Sequence, residues 1–236
     1  MASKLDLHVV VAPVFATNCC ILVKDDGAAL VVDPGAGVFD AVVDLVTKNG
    51  WQVKGVAATH GHPDHTWDGG RLAAHFGVPF IINQADQYRL ADPLGSLQGD
   101  GDVRPDLSVA VAMAHEIRSV GAAAYQAPAL VQAFSADSPS SVLGELGIEP
   151  IFAPGHTEGS TLYVTAAYVL SGDVLFASGI GRTDFPGGDS ATMTATLRRL
   201  ATELDPWLGV IPGHGPTTTV AKELATNPYW LDALRN

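Results

Sequence analysis

Cysteine, basic side chains and long apolar runs are all scarce in this chain of 236 residues. The two cysteines, Cys19 and Cys20, are adjacent. Neighbouring side chains of a strand point to opposite faces, so the pair does not bridge itself and no disulfide framework is available. Both read as small buried hydrophobes in a reducing compartment. Lys and Arg total 13 against 25 Asp and Glu, a formal net charge of −12. That balance argues against nucleic-acid and anionic-membrane partners. The longest apolar stretch, Leu7 to Val23, is interrupted by His8, Pro13, Thr17 and Asn18, so it is no membrane span. Lys4 followed by Asp6 and His8 makes a poor signal peptide, and the expected setting is the cytoplasm. No G-x-S-x-G elbow, internal repeat or linker is present. With 47% hydrophobic and 16% charged residues, the chain should fold as a single domain over 1–236.

The elements follow from periodicity and turn signals. Leu5 to Val11 reads as a strand, and Cys19 to Lys24 and Ala28 to Val32 as a hairpin about Asp25-Asp26-Gly27. Val38, Val42, Leu45 and Val46 predict a helix stopped by Asn49-Gly50. Gly55 to Thr59 is a short strand, Arg71 to Phe76 a helix ended by Gly77, and Pro79 to Ile82 a strand. Ile148 to Ala153, Thr161 to Thr165, Tyr168 to Leu170 and Leu208 to Ile211 are further strands. Ser190 is placed to cap a helix carrying Leu197, Leu200 and Leu204. Strands mixed with helices on both sides predict a layered α/β sandwich. The alanine-rich segment 95–147 places Leu107, Val111, Ala114 and Arg118 at roughly helical spacing, broken by Pro128 and Pro139. It is expected to be a helical insertion, either a lid or surface helices covering the sheet.

What is abundant is histidine in one place. Thr59-His60-Gly61-His62-Pro63-Asp64-His65 packs three imidazoles and a carboxylate into six residues. Crowded imidazoles repel when protonated and waste polarity when buried unpaired. A divalent cation removes both problems, because neutral imidazole and carboxylate are good ligands for zinc and related metals. Single-residue spacing does not suit a helix face and does suit a tight loop after a strand. His156, Asp173 and His214 stand in the same kind of place, each in a glycine-containing turn at a strand end. Sheets gather their chemistry along one edge in this way.

These motifs carry a resemblance. THGHPDH at 59–65, PGHT at 154–157, Gly172-Asp173, GRTDFPGGD at 181–189 and PGHG at 212–215 are similar to those of metallo-β-lactamase-fold hydrolases. Within that superfamily the chain resembles the short glyoxalase II-like, hydroxyacylglutathione hydrolase-like branch. The resemblance implies an αββα sandwich of two mixed sheets flanked by helices. It implies two ions, zinc first with iron or manganese also accepted: His60, His62 and His156 on one, Asp64, His65 and His214 on the other, and Asp173 between them. Two carboxylates leave such a pair net positive, and a hydroxide shared by two cations forms near neutral pH. The implied activity is hydrolysis of a small-thiol thioester, with Asp64 and Asp173 orienting the hydroxide and taking its proton. The chain ends about twenty residues after His214, short of the helical domain with which full-length glyoxalase II grips glutathione, so glutathione specificity is not implied.

Two further residues are singled out. Arg182 offers a bidentate fork to a substrate carboxylate, or else Arg182 and Asp184 simply pair with protein groups. Asp33, in Val32-Asp33-Pro34-Gly35, reads by itself as a turn residue and resembles the family position that buttresses the histidine loop, which implies support and not catalysis. His8, His75 and His115 match no ligand position. The competing reading is a persulfide dioxygenase-like oxidoreductase, with one iron on His60, His156 and Asp173. A metal-holding protein without catalysis is the third, disfavoured because all seven ligand positions are occupied.

Overall fold

The structure is a computed structural model that describes residues 5–98 and 109–235. Its first sheet has six strands in chain order: β1 (Leu5–Val11), β2 (Asn18–Lys24), β3 (Ala28–Val32), β4 (Gln52–Ala57), β5 (Phe80–Asn83) and β6 (Val131–Phe134). β1 to β3 pair antiparallel, and the Asp25-Asp26-Gly27 turn works because Gly27 adopts φ 84°. From β3 onward the pairs are parallel, so each new strand needs a crossover. α1 (Phe39–Asn49) makes the first, ending on Gly50 in the left-handed conformation. α2 (Pro63–Thr66) and α3 (Gly69–Phe76) make the second, and α4 (Val109–Ser119) lies in the third.

α5 (Ser141–Leu146) leads into the second half. Five strands form its sheet, in the order β13 (Thr218–Thr219), β12 (Gly209–Pro212), β9 (Tyr168–Gly172), β8 (Thr161–Val164) and β7 (Glu149–Phe152). The β9–β12 pair is parallel and the others are antiparallel. β10 (Leu175–Phe176) and β11 (Gly179–Ile180) make a separate ribbon. α6 (Ser190–Glu203), α7 (Val220–Thr226) and α8 (Pro228–Arg235) follow in the last third.

Apolar alternation sorts these elements into layers. On β2, Cys19, Ile21 and Val23 pack with Val42, Val46 and Leu72 of α1 and α3, while Cys20 and Leu22 face the second sheet. The two cysteines are therefore split between two cores, and burial pushes both thiols up, away from reactivity. Leu30, Ala57 and Ile81 meet Tyr163, Leu170 and Ile211 between the sheets. Beyond the second sheet, Leu162, Val169 and Val210 pack on Met193, Leu197, Leu200 and Trp230 of α6 and α8. Both sheets are mixed and helices cover their outer faces, which is the αββα sandwich.

Several local expectations change. β4 starts at Gln52 and ends at Ala57, which leaves Ala58 and Thr59 to enter the histidine loop. α6 is capped by Asp189, whose Oδ1 accepts from Thr192 N at 2.6 Å, and Ser190 is its first residue. Within 95–147 the chain forms β6, an edge strand of the first sheet, besides its helices. α4 buries Ala110, Met113 and Ile117, not the Val111–Ala114–Arg118 stripe, and Leu107 of that stripe lies outside the described residues, as does Lys4. The buried face packs on Val14, Ala36 and Trp67 in a small core beside the histidine loop.

Candidate metal centre

The sandwich brings all seven predicted ligands to one edge. His60, His62, Asp64 and His65 follow β4, His156 follows β7, Asp173 follows β9, and His214 follows β12. The histidine loop is extended only as far as His62. Pro63 then opens the single helical turn α2, where its fixed φ suits the first position, and this turn carries Asp64 and His65. Backbone bonds tie the sheets together here: Thr161 N donates to Thr59 O at 2.9 Å and Asn18 N to Gly213 O at 2.8 Å.

Two clusters result, His60–His62–His156 and Asp64–His65–His214, joined by a third group of His60, His65 and Asp173, and within each group the donor atoms lie within 4.8 Å of one another. In the first, His156 Nε2 lies 3.2 Å from His60 Nε2 and 2.9 Å from His62 Nδ1, which are themselves 3.0 Å apart. In the second, His214 Nε2 lies 3.3 Å from His65 Nε2 and 3.2 Å from Asp64 Oδ2. Asp173 stands between, with Oδ2 3.7 Å from His156 Nε2 and 3.5 Å from His214 Nε2, and Oδ1 3.4 Å from His65 Nε2.

The far side of most rings fixes which nitrogen faces inward. His156 Nδ1 donates to Arg182 O at 2.7 Å and His214 Nδ1 to Phe15 O at 2.9 Å, leaving each Nε2 a lone pair. Thr59 Oγ1 donates to Asp33 Oδ2 at 2.8 Å and so accepts from His60 Nδ1 at 3.2 Å. His65 Nδ1 lies 3.0 Å from Asp33 Oδ2, near enough for charges to couple although the N–H is not aligned for a hydrogen bond. Asp33 adopts φ 55° and also accepts from Thr59 N at 2.7 Å, the buttressing position expected of it.

Electrostatics separate the clusters. Burial, then the neighbouring imidazoles, hold His60 well below its ordinary range; burial and His156 hold His62 at about 3. Burial also acts on His65, but Asp33, Asp173 and Asp64 outweigh it and raise that ring well above its ordinary range. Hydrogen bonds to Asp173 and Asp64 likewise overcome burial at His214 and raise it to about 9. Despite its own burial, Asp173 is held well below the usual carboxylate range by His65 and His214.

The donor set fits divalent ions. Three nitrogens are aimed at one point, and with His60 and His62 held neutral by burial and the His156 Nδ1 proton spent on Arg182 O, mutual hydrogen bonding does not hold them together. A tetrahedral ion with bonds of about 2.0–2.1 Å would space them about 3.3 Å apart, close to what is seen. His62 Nε2 and Asp173 Oδ1 are buried without a hydrogen-bond partner among the described residues.

Arg182 takes the internal option. Its Nε and Nη2 donate to Asp184 Oδ1 and Oδ2 at 2.6 and 2.7 Å, and its guanidinium lies over the Phe185 ring at 3.7 Å. His8 packs on Trp51, His75 meets Phe39 edge-on and His115 is exposed, all outside the clusters. Asp86 is a supporting residue the sequence did not reveal. It is fully buried after β5 and accepts from Gly61 N and Thr157 Oγ1, both at 2.7 Å, and from Gly159 N at 2.9 Å. A lone aspartate after a strand carries no signal for this, because its partners lie in two distant loops.

A two-sheet sandwich with a buried His/Asp cluster at the strand ends defines a metallo-hydrolase class. The chain belongs to the metallo-β-lactamase superfamily, whose family profile matches residues 12–216. It is similar to YqgX of Bacillus subtilis, described as a probable metallo-hydrolase, with 31% identity over 221 residues, 93% of this chain and 94% of that one. It is similar also to the hydroxyacylglutathione hydrolase GloC of Haemophilus influenzae, at 26% identity, 95% of this chain and 98% of that one. Among solved structures, TTHA1623 in a di-iron-bound form superposes with TM-score 0.74 at 26% identity, covering 94% and 99% of the two chains. ETHE1 from Myxococcus xanthus shares the fold, with TM-score 0.66 at 20% identity over 98% and 90%.

Proposed function

We propose that this chain is a dinuclear metal-dependent hydrolase of small-thiol thioesters. The observation that supports this most is the completeness of two donor clusters, sharing Asp173, on one cavity of about 380 Å³. His60, His62 and His156 would hold one ion, Asp64, His65 and His214 the other, with Asp173 common to both. Divalent ions there supply Lewis acidity toward a carbonyl and make water acidic enough to serve as a nucleophile near neutral pH. The chain's own groups do the rest. Asp64 or Asp173 orients the water and receives its proton. Asp33 and the carbonyls of Phe15 and Arg182 keep the imidazoles aligned. Phe15, Phe176 and Phe185 line the cavity and exclude bulk water from the reacting atoms.

The likeness to GloC supports a thioester as substrate, and the di-iron form of TTHA1623 supports two ions. Zinc is our first assignment, with iron and manganese compatible with the same donors. No helix among the described residues is long and apolar enough to cross a membrane, and we assign a small-molecule substrate in the cytoplasm. A mononuclear iron oxygenase would leave Asp64, His65 and His214 clustered at 3.2–3.7 Å without a task. Elemental analysis of purified protein, with an assay on S-lactoylglutathione, tests the proposal. Two ions per chain and thiol release support it; one iron with oxygen uptake on a thiol persulfide overturns it.

A further inference from the structure

The cavity wall has little to offer a charged substrate. Apart from the donor residues, it is made by Phe15, Leu97, Val109, Met113, Phe176 and Phe185, with Gly181 and Arg182. Arg182 is the only Lys or Arg among the described residues lining it, and both arms of its fork are spent on Asp184. The apolar side chains are not scattered. The Phe185 ring meets the His62 ring edge-on at 5.9 Å, and Phe185 packs with Leu97, Val109 and Met113 in one cluster. An apolar wall therefore starts at the first donor cluster and runs outward over α4.

A glutathione ester carries two carboxylates and an ammonium group. Placing it in this cavity would strip water from those charges where the described lining residues offer no cation but the paired Arg182, which costs several kcal/mol per ion. An alkyl or aryl group loses nothing there and gains from leaving water. Resting on the thioester reading above, we propose that the site selects thioesters with an uncharged, apolar acyl group, seated on Leu97, Val109, Met113 and Phe185. Medium-length acyl chains then outrank the short hydroxyacyl group, and the thiol carrier adds little to selection.

The test uses the full chain loaded with zinc and two separate readouts. Calorimetry with acetohydroxamate, butanohydroxamate and hexanohydroxamate reads how the acyl side binds, independently of turnover. Affinity should rise about two- to fourfold per added methylene. Phe185→Ala should flatten that series, with zinc content checked so that loss of the site is not mistaken for loss of the wall. Hydrolysis of the matching acyl esters of N-acetylcysteamine, beside S-lactoylglutathione, is the second readout. A chain-length dependence in hydroxamate affinity sustains the apolar assignment, and a flat series overturns it whatever the esters do. Failure to hydrolyse any thioester overturns the reaction while leaving that affinity result to stand.

Discussion

Replacing Asp86 tests how the two histidine loops are held in register. Its carboxylate joins Gly61, between His60 and His62, to Thr157 and Gly159, which follow His156 on the other sheet. Arg89 Nε is a fourth, looser neighbour at 3.4 Å. A hydrogen bond to an ionised acceptor contributes about 1.5–3 kcal/mol, and breaking a buried ion pair costs about 3–5 kcal/mol. These overlap, and Arg89 retains Glu158 at 2.6 Å, so Asp86→Ala should lower unfolding free energy by about 4 kcal/mol. Both loops of the first cluster are released together, so affinity for the first ion should fall toward about 100-fold. Asp86→Asn keeps the volume and one acceptor oxygen and should lie between. Urea melts of metal-free protein give the first quantity, and zinc titration against a chromophoric chelator gives the second. A variant within about 1 kcal/mol and threefold in zinc affinity would refute the clamp.

Four further outcomes are expected. Asp33→Asn keeps a residue that tolerates φ 55° but removes the charge beside His65, so affinity at the second cluster should fall about tenfold while the first holds, read by the same titration. In the first cluster His60 and His62 are held below their ordinary range, whereas in the second His65 is raised and His214 titrates at about 9; the second ion must therefore displace about two protons, and its affinity should drop about 100-fold per pH unit on acidification, counted by calorimetry in buffers of different ionisation enthalpy. By the same sign, His214 stabilises the metal-free fold fully below about pH 6.5 and loses that contribution as pH rises through about 9, which melts at pH 6 and pH 10 would show. Gly213→Ala would press a Cβ against Asp173 Oδ1 and His65 Cε1, so the variant should retain its fold by circular dichroism but bind one ion in place of two.

Much of the site was legible because its densest part is local. His60, His62, Asp64 and His65 are close in sequence, and their spacing survives any error in strand boundaries. His156, Asp173 and His214 were legible only as residues at strand ends; pairing them with the loop needed the resemblance. Asp86 and Arg89 were hidden because a buried ion pair three residues apart reads as an ordinary exposed helical pair. β6 was hidden for another reason. Its partner β5 lies about fifty residues upstream, and three half-buried residues followed by a buried Phe134 make no periodic signal of their own. α4 was seen as a helix but turned to the wrong face, since in an alanine-rich helix the small residues do not say which side has a core to meet.

The position of the donors also explains why the sheets need each other. Four come from the first sheet's loop and three from the second, so no half of the sandwich assembles either cluster. Tyr163 makes the dependence concrete. Its ring fills the inter-sheet core, and its hydroxyl donates to Ala58 O at 2.8 Å, one residue before Thr59. Sliding one sheet by half an ångström would stretch that bond toward its limit and shift donor spacings now within a few tenths of those an ion requires. An ion bound to ligands from both sheets adds its binding free energy to their association, as any ligand that binds only the folded state does. The rigid core and the bond-length demands of a metal thus constrain the same coordinate, the separation of the two sheets at this edge. That is a physical reason for donors to sit on the short loops next to the strands, where the backbone bonds between the sheets, Thr161 N to Thr59 O and Asn18 N to Gly213 O, lie one residue from His60 and one residue from His214.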